Sequence, residues 1–143
     1  MQTDYVESSL NLNIMDKKNN ILIVDDSDTN LVLLEAILED DGNHVQKAYS
    51  AKEALVSLTK KVPNLILLDL LMPNENGFDL LKKLNSNGIF KGIPTIIVTA
   101  FANQENKIIA KDLGAVDLIE KPINIPEFLD KIHSALNLSI MDY

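Results

Sequence analysis

Five side chains in this 143-residue sequence combine into one kind of chemistry. Asp25 and Asp26 follow the apolar run Ile21–Val24, and Asp69 follows Leu65–Leu68. Thr99 follows Ile93–Val98, and Lys121 follows Val116–Ile119 with Glu120 between. Three carboxylates gathered in a small volume repel one another: a like-charge pair about 4 Å apart costs roughly 4 kcal/mol at an effective dielectric of 20. Either one carboxyl holds a proton or a cation neutralises the group. An all-oxygen donor set without Cys or a neighbouring His suits Mg²⁺ or Mn²⁺ better than zinc. A carboxylate, a divalent ion, a lysine and a hydroxyl together suit phosphoryl transfer onto Asp69.

These residues share a site only if the apolar runs before them lie side by side. The runs are short and continuous, as in strands buried on both faces. Between them the period lengthens to that of helices. Ser27 or Asp28 can cap a helix whose Leu31, Leu34 and Leu38 share a face with Ile37 beside them, and Asp41-Gly42-Asn43 stops it. His44–Ala48 is the second strand; Ala51, Ala54, Leu55, Leu58 and Val62 then line a helical face that Pro63 breaks. After a turn at 73–77, in which Asn76 and Gly77 serve the bend, Phe78, Leu81 and Leu84 mark the third helix. Pro94 is tolerated at the start of the fourth strand. Ile108, Ile109 and Leu113 mark the fourth helix, with Gly114 as its C-cap. Phe128, Leu129, Ile132, Ala135 and Leu136 mark the last. Five alternating strand-plus-helix units predict an α/β fold: a doubly wound five-stranded parallel sheet, helices on both faces, strand order 2-1-3-4-5. Ligands of such sheets sit at the carboxyl ends of the strands, where Asp25, Asp26, Asp69, Thr99 and Lys121 all fall.

The length predicts one domain. The absence of cysteine excludes disulfides and thiolate metal sites, and fits a reducing compartment such as the cytoplasm. A net charge of −8 argues against nucleic acid and anionic membrane as partners. The longest apolar run is interrupted by Asp69, so no membrane span is predicted. Residues 1–18 are polar and carry neither a signal core nor an Arg-rich amphipathic pattern; Leu10, Leu12 and Ile14 alternate as a weak edge strand would.

The run Ile21-Leu22-Ile23-Val24-Asp25-Asp26, the segment Leu65–Pro73 around Asp69 followed by Gly77, Val98-Thr99-Ala100, and Lys121-Pro122-Ile123 together resemble the receiver domain of two-component response regulators. The resemblance spans residues 19–138, leaving 1–18 as an extension and 139–143 as a short tail. It implies that Asp69 is the phosphoacceptor for a phosphohistidine on a sensor histidine kinase or histidine phosphotransfer protein. It also implies that Asp25 and Asp26 organise Mg²⁺, with Asp26, Asp69 and the Leu71 backbone carbonyl as direct ligands. Thr99 and Lys121 would contact the phosphoryl oxygens, and the Lys121-Pro122 bond would be cis. Such a protein catalyses only its own phosphorylation and dephosphorylation, and signals to a protein target through its fourth helix, fifth strand and fifth helix. Lys107, Lys111, Leu118, Phe128 and Ile132 are the candidates there.

Leu118 stands where the family usually carries an aromatic that moves inward on activation. Leu71 and Phe101, two residues after Asp69 and Thr99, put apolar groups beside the path of an attacking water, which predicts a long-lived acyl phosphate. Asn30 resembles a variant found in phosphorelay receivers. An aspartate-nucleophile phosphohydrolase would need an acid where Leu71 stands, and a flavin carrier would need a phosphate loop where Asp25-Asp26 would repel it. His44 and His133 lack ligand-like neighbours and are expected at the surface or partly packed, and Lys60-Lys61 and Lys82-Lys83 on solvated helix faces. No output module follows residue 138, so a complete single-domain protein is expected, with a receiver cut from a hybrid kinase or transcription regulator as the alternative.

Overall fold

The structure, a computed structural model, describes residues 18–141. The alternation at Leu10, Leu12 and Ile14 lies outside the described residues. In chain order the elements are β1 (Asn20–Val24), α1 (Asp28–Asp40), β2 (His44–Ala48), α2 (Ala51–Lys60), β3 (Leu65–Leu68), β4 (Leu71–Met72), β5 (Glu75–Asn76), α3 (Gly77–Ser86), β6 (Thr95–Thr99), α4 (Gln104–Asp112), β7 (Asp117–Glu120) and α5 (Ile125–Met141). Five strands form one parallel sheet in the order β2-β1-β3-β6-β7, while β4 and β5 make a separate two-residue hairpin. The order is the doubly wound one expected.

Alternate residues of each inner strand serve opposite cores. Ile21, Ile23, Leu65, Leu67, Ile96 and Val98 pack with Leu31, Leu34 and Leu38 of α1 and with Phe128, Ile132, Ala135 and Leu136 of α5. Leu22, Val24, Ile66, Leu68 and Ile97 pack with α2, α3 and Ala110 of α4. Each such side chain contributes about 1.5–3 kcal/mol on burial, so the inner strands hold their carboxyl ends in a stiff frame.

Local chemistry sets the ends. Ser27, not Asp28, caps α1: its Oγ accepts the Asn30 N–H at 3.3 Å, and Asp28 adds a negative charge to the first turn. Gly114 follows α4 at φ 102°, the left-handed conformation that suits glycine. Several expected boundaries move. α2 ends at Lys60, so Val62 leaves the helical face and is 53% exposed. β6 begins at Thr95, after Pro94, whose carbonyl still accepts the Ile66 N–H at 3.0 Å. In α4 it is Ala110 that faces the core; Ile108 points outward at 52% exposure. The expected bend at 73–77 is the closing part of the β4–β5 hairpin, in which Leu71–Met72 pair with Glu75–Asn76.

Two expected surface residues are corrected. Phe128 and Ile132 are fully buried, because α5 packs its apolar stripe onto β1, β3 and β6. They therefore belong to the core and not to a docking face. His44 and His133 are both exposed, as expected; His133 Nε2 also lies 2.7 Å from Asp41 Oδ2 and ties α5 to the end of α1.

Candidate functional site

The carboxyl ends of β1, β3, β6 and β7 converge on one acidic crevice. A carboxylate oxygen from each of Asp25, Asp26 and Asp69 lies within 4.8 Å of the others. Asp25 and Asp69 are buried and Asp26 is exposed. Lys121, half-buried, reaches between two of them: its Nζ donates to Asp25 Oδ2 at 3.0 Å and to Asp69 Oδ2 at 3.4 Å. The Lys121–Pro122 peptide bond is cis. Thr99 is wholly buried at the end of β6, and its Oγ1 accepts the Phe101 N–H at 3.1 Å, which leaves the hydroxyl proton free to donate.

Asp25 is held from both sides of the β1–α1 turn. The Ser27 N–H donates to its Oδ1 at 2.9 Å and the Asn30 amide to its Oδ2 at 3.3 Å. Asn30 thus has a visible task in orienting this carboxylate. Asp69 accepts the Leu71 N–H at 3.5 Å. Burial pushes the Asp69 carboxyl above its ordinary range; the Lys121 charge and the Leu71 N–H pull it down, and the Asp25 charge adds to the rise. Among the described residues Asp26 has neither a hydrogen bond nor an ion pair on its carboxylate. Three carboxylates against one ammonium, all oxygen donors and one of them free, form a set that fits a hard divalent cation.

Gly77 does more than turn the chain. A Cβ there would collide with the Asp69 carbonyl oxygen and lie 2.9 Å from Leu70 Cα. The missing side chain lets the start of α3 close on the strand end, and the Gly77 N–H donates to the Leu70 carbonyl at 2.8 Å. Asn76 caps that helix by accepting the Phe78 N–H at 2.8 Å. Leu71 and Phe101 are each 53% exposed and line a small apolar cavity of about 210 Å³ with Leu70 and Phe78, beside the crevice. Glu75, Gly77 and Tyr49, to which the sequence pattern gave no chemical role, all bear on the loops around the crevice.

On the edge of the sheet, Lys107, Lys111, Leu118 and Lys131 line a cavity of about 480 Å³. Leu118 is half-buried in it. No helix among the described residues is long and apolar enough to cross a membrane.

Residues 21–133 match the family model described as the response regulator receiver domain. The protein PilH of Pseudomonas aeruginosa is 35% identical over 116 residues, covering 81% of this chain and 96% of PilH. The transcriptional regulatory protein CpxR of Escherichia coli is 36% identical over 121 residues, covering 85% of this chain and half of CpxR. The response regulator PleD of Caulobacter vibrioides is 31% identical over 121 residues, and the chain spans 27% of its length. Among solved structures, a CheY-like receiver domain protein from Methanospirillum hungatei superposes with a TM-score of 0.82 at 33% identity, covering 89% of this chain and all of that one.

Proposed function

Because the chain belongs to the response regulator receiver domain family, we propose that it works as a phosphorylation switch in which Asp69 accepts a phosphoryl group from a phosphohistidine. The observation that carries this is the crevice itself: three carboxylates within 4.8 Å, two of them sharing the Lys121 ammonium, at the ends of adjacent parallel strands. An Asp69 carboxylate oxygen attacks phosphorus; the new O–P bond forms as the P–N bond breaks, and the electron pair stays on the donor imidazole. Asp26, Asp69 and the Leu71 carbonyl are the proposed Mg²⁺ ligands, with Asp25 beside them. Bound there, the ion neutralises charge on the crevice and on the incoming phosphoryl oxygens.

Lys121 supplies a fixed positive charge for one phosphoryl oxygen, and the free Thr99 proton serves another. Moving Thr99 toward the phosphoryl group also pulls on Phe101 through the 3.1 Å bond, which is a route from the crevice into the loop before α4. With Leu118 in place of an aromatic, that backbone route is the proposed readout toward the α4–β7–α5 face. There Lys107, Lys111 and Leu118 remain candidates to meet a protein target.

The proposed receiver occupies 19–138, with 1–18 and 139–143 as flanking segments. The chain covers 96% of PilH but half of CpxR and 27% of PleD, so a lone receiver and a receiver within a longer regulator both have counterparts among its relatives. The cysteine-free composition fits the cytoplasm as its setting. Incubation with Mg²⁺ and acetyl phosphate should add one phosphoryl group to the wild type and none to Asp69→Ala, read by intact mass. An addition that survives Asp69→Ala removes Asp69 from the role.

A further inference from the structure

Glu75 sits six residues beyond Asp69, in the hairpin that follows the phosphoacceptor strand, yet its carboxylate bonds to a different loop. Glu75 Oε2 accepts the N–H of Ala51, the first residue of α2, at 2.9 Å across 24 residues of sequence. The first turn of a helix has amides without intrahelical partners, and an anionic acceptor there gains from the helix dipole. Ser50 Oγ takes the Glu53 amide of the same turn at 3.1 Å, so Glu75 completes the cap from outside.

The anchor is itself tied down. The Tyr49 N–H donates to Glu53 Oε1 at 3.2 Å, and the Tyr49 hydroxyl donates to Asp28 Oδ1 at 2.9 Å, two residues beyond Asp26. At the other end, Met72 pairs with Glu75 and Leu71 with Asn76 across the hairpin. A continuous set of polar contacts thus runs from the β1–α1 turn, through the β2–α2 turn, to the loop that bears Leu71. The middle turn contributes no group to the crevice.

We propose that Glu75 is a positioning residue for the divalent-cation site. By capping α2 it holds the hairpin, and with it the Leu71 carbonyl and the adjoining Asp69, at the spacing the cation needs. The proposal rests on the magnesium site set out above.

Titration of the full chain with Mg²⁺ by calorimetry tests it, with Asp69→Asn as the control for the site. Glu75→Ala should weaken Mg²⁺ binding about 3–10-fold, a milder effect than that typical of groups bonded directly to metal ligands. Glu75→Gln, which keeps an oxygen for the Ala51 amide, should recover most of the affinity. Ser50→Ala removes a different cap from the same helix and should lower the melting temperature without changing Mg²⁺ affinity. Wild-type affinity in Glu75→Ala, or an equal loss in Ser50→Ala, overturns the proposal and leaves the cation site standing. If the wild type takes up no Mg²⁺, or Asp69→Asn binds it equally well, the site falls and Glu75's role with it. On the wild type alone, Mg²⁺ should slow hydrogen exchange at the Ala51 amide, because coupling between the two places is reciprocal. An unchanged rate overturns the proposal even where Glu75→Ala does not fold.

Discussion

The acidic crevice and the cavity beside β7 use the same two kinds of charged group in opposite proportion. The crevice sets Asp25, Asp26 and Asp69 against Lys121; the cavity sets Lys107, Lys111 and Lys131 against Asp117. In the crevice, Lys121 and its two partners are largely out of water. In the cavity, Lys131 bonds Asp117 at 3.0 Å with both side chains substantially exposed, and Lys107 and Lys111 stand in solvent. Solvent and salt screen charges of the second kind, and pairs of that sort contribute at most about 1 kcal/mol. The crevice charges are coupled closely enough for one change to alter all of them. The cavity charges act nearly independently, which suits adjustable contact with another protein.

The sharpest break of this division comes from exchanging charges in each region. Asp69→Asn should abolish phosphoryl uptake from acetyl phosphate, whereas Lys107→Glu with Lys111→Glu should leave uptake intact. A loss of uptake in the lysine pair would show that the regions are not separate. Next in size, Gly77→Ala drives a methyl group into the Asp69 backbone; urea unfolding should show a loss of about 1–3 kcal/mol, as for other overpacked sites. Uptake should fall with it.

A smaller effect is expected from opening the apolar rim of the crevice. Leu71→Asn together with Phe101→Glu should shorten the lifetime of the acyl phosphate several-fold, followed by loss of the added mass over time. An unchanged lifetime would mean that these side chains do not control water. The smallest effect is on stability without metal. Because the folded Asp69 carboxyl titrates above its ordinary value, its ionised form opposes folding: the related stability is present at low pH and lost as pH rises through the folded pKa. Asp69→Asn should therefore melt a few degrees higher than wild type at neutral pH, with the gap closing below the usual carboxylate range near 3.8. Adding Mg²⁺ should raise the wild-type melting temperature and leave that of Asp69→Asn unmoved.

Much of the frame is legible in the amino-acid sequence. Ile21–Val24 and Leu65–Leu68 are continuous apolar runs because both of their faces are covered, and each is followed at once by its carboxylate. Thr99 and Lys121 could be placed by the same logic of strand ends. Phe128 and Ile132 were harder: periodicity shows that they share a helical face, but only the seating of α5 on β1, β3 and β6 shows that the face is inward. Val62 and Ile108 failed for a related reason, since an apolar side chain at a helical spacing can still fall past the helix end or on its outer side. Glu75 was hidden more deeply, because its partner lies 24 residues away. Gly77 was legible as a turn residue and as part of the receiver pattern, but its close approach to the Asp69 backbone works through the atom it lacks and leaves no periodic trace.

The order of strands across the sheet also bears on what happens when the chain is only partly folded. The three inner strands, NILIV, LILL and TIIVT, are short segments of high β-propensity without charge, the kind that stack into fibrils when their backbones are free. The two that end the sheet, HVQKA and DLIE, carry Lys47, Asp117 and Glu120. Charged side chains on a terminal strand discourage another chain from adding to it. The native order therefore seals the adhesive segments between two repellent borders, and exposure of the middle strands requires loss of the sheet itself.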